Sequence, residues 1–349
     1  MSKLNFTTFF DRNYLSRGLV MYESLKSVCS VPFTLYIFAL DKFTIEFFDS
    51  RKAYFPEVIT LPLSVLEESD PELLACKSNR SVISYYFTLS PCIPLFMLKK
   101  FDLPHICSLD ADIVFYSDPT PVFNYLSENS IIITPHKFSK ENSHKTTWGT
   151  YNVSFQIFRN DFTGLACLEK WREQCIDWCD DWFDQDHDRF ADQKYLDEWP
   201  LLYKNSLKVL DDTVCGLATW NLNNYCLSIQ KGTYFSNGYP IIFYHYHGVK
   251  FLSNNWVETG FSSYKTKMNA VVNRMYKDYI MNLIRKKDEY QIVAIQHIRE
   301  KNRPELLSRI LFESHAYFVR KNGAIVTVGF RILPVLIKKI IIKANGIIN

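Results

Sequence analysis

Apolar segments of strand length alternate with segments of helical periodicity along the first half of the chain, and this alternation restricts the fold more than any other feature. "LNFTTFF", "PFTLYIFAL", "EVITLPLSVL", "HICSLDADIVFY", "IIITPH" and "YNVSFQIFRN" read as strands. Between the first of them lie "SRGLVMYESLKSV", "TIEFFDSRKAYF" and "YYFTLSPCIPLFMLKK", whose apolar residues recur at helical spacing; Pro91 and Pro94 predict an interruption near the start of the third. A strand apolar on both faces needs cover on both faces. A mostly parallel sheet flanked by helices, Rossmann-like and of the α/β class, supplies it. Such sheets bind ligands at the carboxyl ends of their strands.

The remaining segments are less regular. Residues 139–150 are polar and predict a mobile loop; a helix rich in Trp and Cys is expected at 164–183 and a short one near "RFADQKYLDEWP". "PIIFYHYHGVKF" reads as a strand ending in a basic, glycine-containing turn, and beyond about residue 265 the pattern turns helical and charged. Cys167, Cys175 and Cys179 suit plain helix or core positions.

A net charge of +3 over 349 residues excludes a general nucleic-acid binder, and 47% hydrophobic content suffices for a large core. The amino terminus lacks a signal-peptide pattern, and no run of about 18 apolar residues predicts a transmembrane helix. Nine cysteines without a CxxC pair predict reduced thiols in the cytoplasm. From Ser314 to Asn349 there are six Lys or Arg and no acid. That apolar, basic tail suggests peripheral contact with the inner face of an anionic membrane, or else a terminal element packed on the domain.

Asp110 and Asp112 interrupt a buried strand, where unpaired carboxylates are costly. At the carboxyl end of that strand they mark the rim of a ligand cleft. Two carboxylates at this spacing hold one divalent cation, and an imidazole from "HYHG" would tilt the choice from Mg²⁺ toward Mn²⁺. His245 and His247 both qualify as that imidazole. Gly248 would let backbone approach a phosphate, and Lys250 would place an ammonium against a diphosphate. Each motif alone has a plain reading: a loop aspartate pair, satisfied histidines, a surface lysine, a helix cap at "ADQ". Trp220 and Asn221 suit sugar recognition or a half-buried loop, and the acidic run 177–190 suits a solvated edge.

The order of these pieces resembles GT-A-fold glycosyltransferases of the family 8 type, a group of nucleotide-diphospho-sugar transferases. "FTTFFDRNYLSRGLVMYESL", "LDADIVF", "YNVSFQIFRND", "FADQKYLDEW" and "HYHGVK" follow the family's order over residues 4–256. The resemblance implies a catalytic domain at 1–260 and a helical, basic extension at 261–349. It implies Asp110, Asp112 and His245 as metal ligands, His247 being the competing choice. Gly248 and Lys250 would hold the diphosphate, Thr7, Thr8, Asp11, Asn13 and Tyr14 the base and ribose, and Arg80 would supply a basic contact. Asn152, Asp192 and Gln193 would meet the donor sugar. The implied reaction moves a hexose from a UDP-sugar to a glycan or lipid-linked hydroxyl with retention, using Mn²⁺ or Mg²⁺. Ser154 stands where the family has glycine, Lys250 lies one residue early, and the family's later proline–tryptophan pair is missing. A metal-dependent phosphoesterase and a non-catalytic nucleotide-sugar-binding protein are the alternatives.

Overall fold

In the computed structural model, residues 3–211, 214–251, 256–292, 316–319 and 325–328 are described. β1 (Leu4–Phe10) leads into α1 (Leu15–Val28), and β2 (Phe33–Ala39) into α2 (Lys42–Asp49). β3 (Val58–Pro62) leads into α3 (Leu63–Ser69), α4 (Pro71–Cys76) and α5 (Val82–Phe101), before β4 (His105–Leu109). Every residue of β2 is buried, as is all of β1 except half-buried Phe9, so both strands are covered on both faces. β1 to β4 run parallel.

β5 (Ile113–Phe115) and α6 (Thr120–Phe123) precede β6 (Ile131–Pro135), β7 (Tyr151–Arg159), α7 (Phe162–Asp177), α8 (Trp199–Leu202) and β8 (Leu207–Val209). The central sheet has the order β3-β2-β1-β4-β7-β6-β8. β7 is antiparallel to β4 and β6, while β8 runs parallel to β6. The carboxyl ends of six strands and the amino end of β7 therefore share one edge. This mostly parallel α/β sheet is the one the apolar runs predict.

β9 (Leu217–Ala218), β10 (Leu227–Gln230), β11 (Thr233–Ser236), β12 (Tyr239–Pro240) and β13 (Phe243–His245) follow. β14 (Lys250–Phe251), β15 (Trp256–Glu258), α9 (Ala270–Tyr290), β16 (Ala316–Val319) and β17 (Ile325–Val328) complete the order. β5, β13 and β9 form a small sheet beside the main one. α9 buries Met275, Tyr276, Tyr279 and Leu283 in one cluster with Tyr244, Tyr246 and Val257. The expected helical character past residue 265 is met by α9, and two strands, β16 and β17, add to it. The basic apolar stretch 329–349, with its expected membrane contact, lies outside the described residues.

Two local expectations are corrected. α5 is not interrupted: it contains Pro91 and Pro94 in 20 continuous residues. Each proline costs about 3 kcal/mol in a helix interior, but Leu89, Ile93, Met97 and Leu98 are buried and return about 2 kcal/mol each. By length and apolarity α5 is the one helix among the described residues that could cross a membrane, but 67% of its most apolar window lies inside the fold, as in a core helix. Residues 140–148 are not a loop but a 3₁₀ helix, pinned by fully buried Asn142. The Asn142 amide donates to Ser139 Oγ (3.0 Å), the Trp220 carbonyl (3.2 Å) and Thr266 Oγ1 (3.3 Å).

Candidate active site

The Asp-Ala-Asp turn joins β4 of the main sheet to β5 of the small one. The Asp110 N–H donates to the Ser154 carbonyl (2.9 Å), and the Asp112 carbonyl accepts from the Tyr246 N–H (2.9 Å). β13 pairs antiparallel with β5 so that His245 stands opposite Ile113, one residue from Asp112. His245 Nε2 lies 3.0 Å from Asp112 Oδ1 and 3.5 Å from Asp110 Oδ2. One ligand atom from each of the three falls within 4.8 Å of the others, and this is the trio among the described residues that could hold a metal ion. Two hard carboxylates with one imidazole fit Mn²⁺ or Mg²⁺. The ladder register selects His245 over His247.

Burial alone would raise the Asp112 carboxyl, but the adjoining His245, with His247 and Arg17, outweighs it and holds it down to about 2. Asp110 is pushed up by enclosure and by the Asp112 charge, against the pull of His245. His245 is raised in turn: burial opposes its protonation, and the two carboxylates overcome that. Its other nitrogen, Nδ1, is buried and unpartnered among the described residues. His247 is lowered to about 4, first by enclosure and then by the neighbouring His245.

Behind this trio lies a second layer. Trp220, 3% exposed, packs edge-on against His245 (5.4 Å), His247 (5.6 Å) and His136 (5.1 Å). The open stacking face expected of it is therefore absent. Asn221 is buried too, its amide donating to the carbonyls of His136 and Gly216 (both 2.9 Å). Asn152, at the amino end of β7, shares a 3.2 Å hydrogen bond with His136 Nε2 and accepts from the Ser154 N–H at 2.9 Å. His136 is lowered to about 3 by burial first.

Asp192 is 1% exposed, and its Oδ2 has no hydrogen-bond partner among the described residues. Burial, aided by the Asp110 charge, lifts its carboxyl to about 7 against the lowering contact of Ser90. It caps no helix. The following 3₁₀ turn Lys194–Glu198 starts at Gln193 without a side-chain cap. The Gln193 amide donates instead to the Trp148 carbonyl at 2.7 Å.

The loop after β1 is organised by Asp11, whose carboxylate accepts from the Asn13 N–H (2.9 Å), the Asn13 amide (2.9 Å) and the Tyr14 N–H (3.3 Å). Thr7 and Thr8 are buried in β1, their hydroxyls without a hydrogen-bond partner among the described residues, and Tyr14 is 43% exposed. Arg17, which the sequence reading did not single out, stacks over the Tyr14 ring at 4.3 Å. It donates to the Asn13 carbonyl (3.2 Å) and across the fold to the Val249 carbonyl (2.7 Å). Gly248 adopts φ +80, and a Cβ there would meet Gly260 Cα at 3.1 Å. Lys250 opens β14, close enough to act on His247. Arg80 lies elsewhere: its guanidinium donates to the carbonyls of Cys175 (2.6 Å), Ile176 (2.6 Å) and Cys179 (3.3 Å), closing the end of α7. His136, beside Asn152 and Trp220, and Arg17, beside Asn13 and Tyr14, were not singled out by the sequence reading. Only the spacing of Arg17, three after Tyr14 on α1, carried a local signal.

No family model matches the chain. It is 28% identical over 293 residues to the uncharacterized protein YfnD of Bacillus subtilis (strain 168), covering 83% of this chain and 92% of that protein. It is 26% identical over 290 residues to YfnF of the same organism, also uncharacterized, covering 80% and 92%. Among solved structures it is similar to mouse xyloside xylosyltransferase 1 at 14% identity and a TM-score of 0.46, covering 71% of this chain and 98% of that one. It is similar to the galactosyltransferase LgtC at 13% identity and TM-score 0.46 (70% and 87% covered), and to the glycosyltransferase GlyE of Streptococcus pneumoniae TIGR4 at 13% and 0.46 (84% and 64% covered).

Proposed function

We propose that this protein is a metal-dependent glycosyltransferase that moves a hexose from a nucleotide diphosphate sugar, UDP-hexose in the first instance, to a hydroxyl of a glycan or lipid-linked acceptor. The observation carrying this reading is the convergence of Asp110, Asp112 and His245 at the carboxyl edge of a mostly parallel sheet. When bound there, Mn²⁺ or Mg²⁺ would neutralise charge on the departing diphosphate.

The chain's own residues do the rest. Gly248 and Lys250 hold the diphosphate, and the loop 11–14 with Thr7 and Thr8 receives the nucleoside. Asn152, Asp192 and Gln193 meet the donor sugar, and the buried Asp192 Oδ2, without a hydrogen-bond partner among the described residues, would take a sugar hydroxyl once the segment opens to the donor. With retention, the acceptor oxygen bonds the anomeric carbon on the face from which the phosphate oxygen leaves. The acceptor proton passes to that phosphate oxygen. Residues 1–260 form the catalytic domain and 261–349 the extension. Nine free cysteines support a reducing, cytoplasmic setting.

The test is UDP release from a panel of UDP-sugars with and without Mn²⁺. Metal-dependent release from one donor supports transfer. Phosphate release from simple diesters would favour an esterase, and UDP binding without turnover a binding protein.

A further inference from the structure

The 3₁₀ helix Lys140–Trp148 spans two parts of the cleft wall. Asn142 ties one end to Ser139, Trp220 and Thr266, and its Oδ1 accepts from the Lys265 N–H at 2.9 Å. At the other end Gln193 holds the Trp148 carbonyl, and Gly149 at φ +127 abuts the Gln193 side chain, which a Cβ would meet at 3.3 Å. The helix is thus fastened both to the Trp220 layer behind the histidines and to the Asp192–Gln193 segment.

Lys145 projects from the middle of this helix. Its ammonium lies 4.6 Å from the Trp148 ring centroid and 5.1 Å from that of Tyr264. Tyr264 in turn packs on Trp220 (5.9 Å) and His247 (6.4 Å). The charges of Lys145 and Lys250 both act on His247. Burial lowers the Lys145 pKa, so its charge is partly stripped of water. Among the described residues no carboxylate lies within ion-pair distance of Lys145 or of Lys250, although Lys194 on the neighbouring segment is paired with Asp188 and Asp197. A partly desolvated cation held between two ring faces, and unpaired, is arranged for an anion that the protein itself does not provide.

We propose that Lys145 is a further diphosphate-binding residue, which together with Lys250 meets the distal phosphate of the nucleotide. This rests on the nucleotide-sugar reading of the site. It assigns the 140–148 helix the task of carrying a cation to the leaving group while Gln193 sets its distance from the sugar segment.

The experiment is calorimetric titration of the full chain with UDP and with UMP, both in Mn²⁺, for the native protein, Lys145→Met and Lys145→Arg. Methionine keeps the apolar stem between Trp148 and Tyr264. The expected result is a loss of about tenfold in UDP affinity for Lys145→Met, UMP affinity within about twofold, and recovery of UDP affinity in Lys145→Arg. Equal losses for UDP and UMP, or UDP affinity within about twofold of native in Lys145→Met, overturn the assignment of Lys145 while leaving the site reading intact. A native protein that binds neither nucleotide overturns the site reading and the assignment with it. Should Lys145→Met fail to fold, an Arg variant that folds yet binds UDP as poorly as the native protein binds UMP also overturns the assignment.

Discussion

Replacing Asp192 by asparagine separates what this carboxyl does for function from what it costs in stability. In the folded protein burial lifts its pKa from 3.8 to about 7. A carboxyl raised on folding favours the native state when protonated, and that contribution is complete below the unfolded value. It is lost as pH climbs through the folded value. The window therefore runs from about pH 4 to pH 7, and three pKa units correspond to about 4 kcal/mol. The isosteric amide does not ionise. Urea unfolding of metal-free, nucleotide-free protein, followed by circular dichroism between pH 4.5 and 8.5, should show the native protein losing stability relative to Asp192→Asn as pH rises. Over that range the gap should widen by about 3 kcal/mol, the rest of the difference falling below pH 4.5. Metal-dependent UDP release should fall in the same variant. A gap that stays flat with pH would refute the argument that Asp192 is buried with its charge uncompensated. A variant that gains stability and keeps full turnover would remove Asp192 from the reaction.

Asp112→Ala should lower metal-dependent turnover by at least about 100-fold and, because it leaves buried His245 without its 3.0 Å partner, cost the ligand-free protein about 1–3 kcal/mol in urea unfolding; turnover kept at the native level would remove the carboxylate from the metal site. His245→Ala should weaken Mn²⁺ binding by about 100-fold, read by calorimetry, and His247→Ala by much less, because only His245 lies within reach of both aspartates. Arg17→Met leaves the Val249 carbonyl without its buried donor and should cost about 1–3 kcal/mol in urea unfolding. Asn142→Ala removes the amide that holds four groups of three segments and should cost a similar 1–3 kcal/mol, about, with faster proteolysis within 140–148.

Local pattern was enough for β1 to β4, β6, β7, α1 and α2, because a strand covered on both faces must be apolar throughout and a half-covered helix apolar every third or fourth residue. It was enough also to set Asp110 and Asp112 at a strand end, since charge cannot sit unpaired in the interior. What it left open was every choice that depends on a partner distant in sequence. His245 rather than His247 meets the aspartates because β13 pairs with β5 in one register; a slip of one residue would have turned a tyrosine to the site. Residues 140–148 look like a loop by composition, and one buried asparagine bound to residues near 220 and 265 makes them a helix. Arg80 and Arg17 are indistinguishable as basic residues in sequence. The carbonyls they meet, at the end of α7 and at Val249, set one against that helix end and the other beside the loop 11–14. The sequence by itself determined which segments are strands and helices and where charge must reach the surface, since those follow from near neighbours along the chain. Tertiary structure alone decided which polar atoms meet across it, because hydrogen bonds and ion pairs are set by distances of a few ångströms between segments that the chain order does not relate.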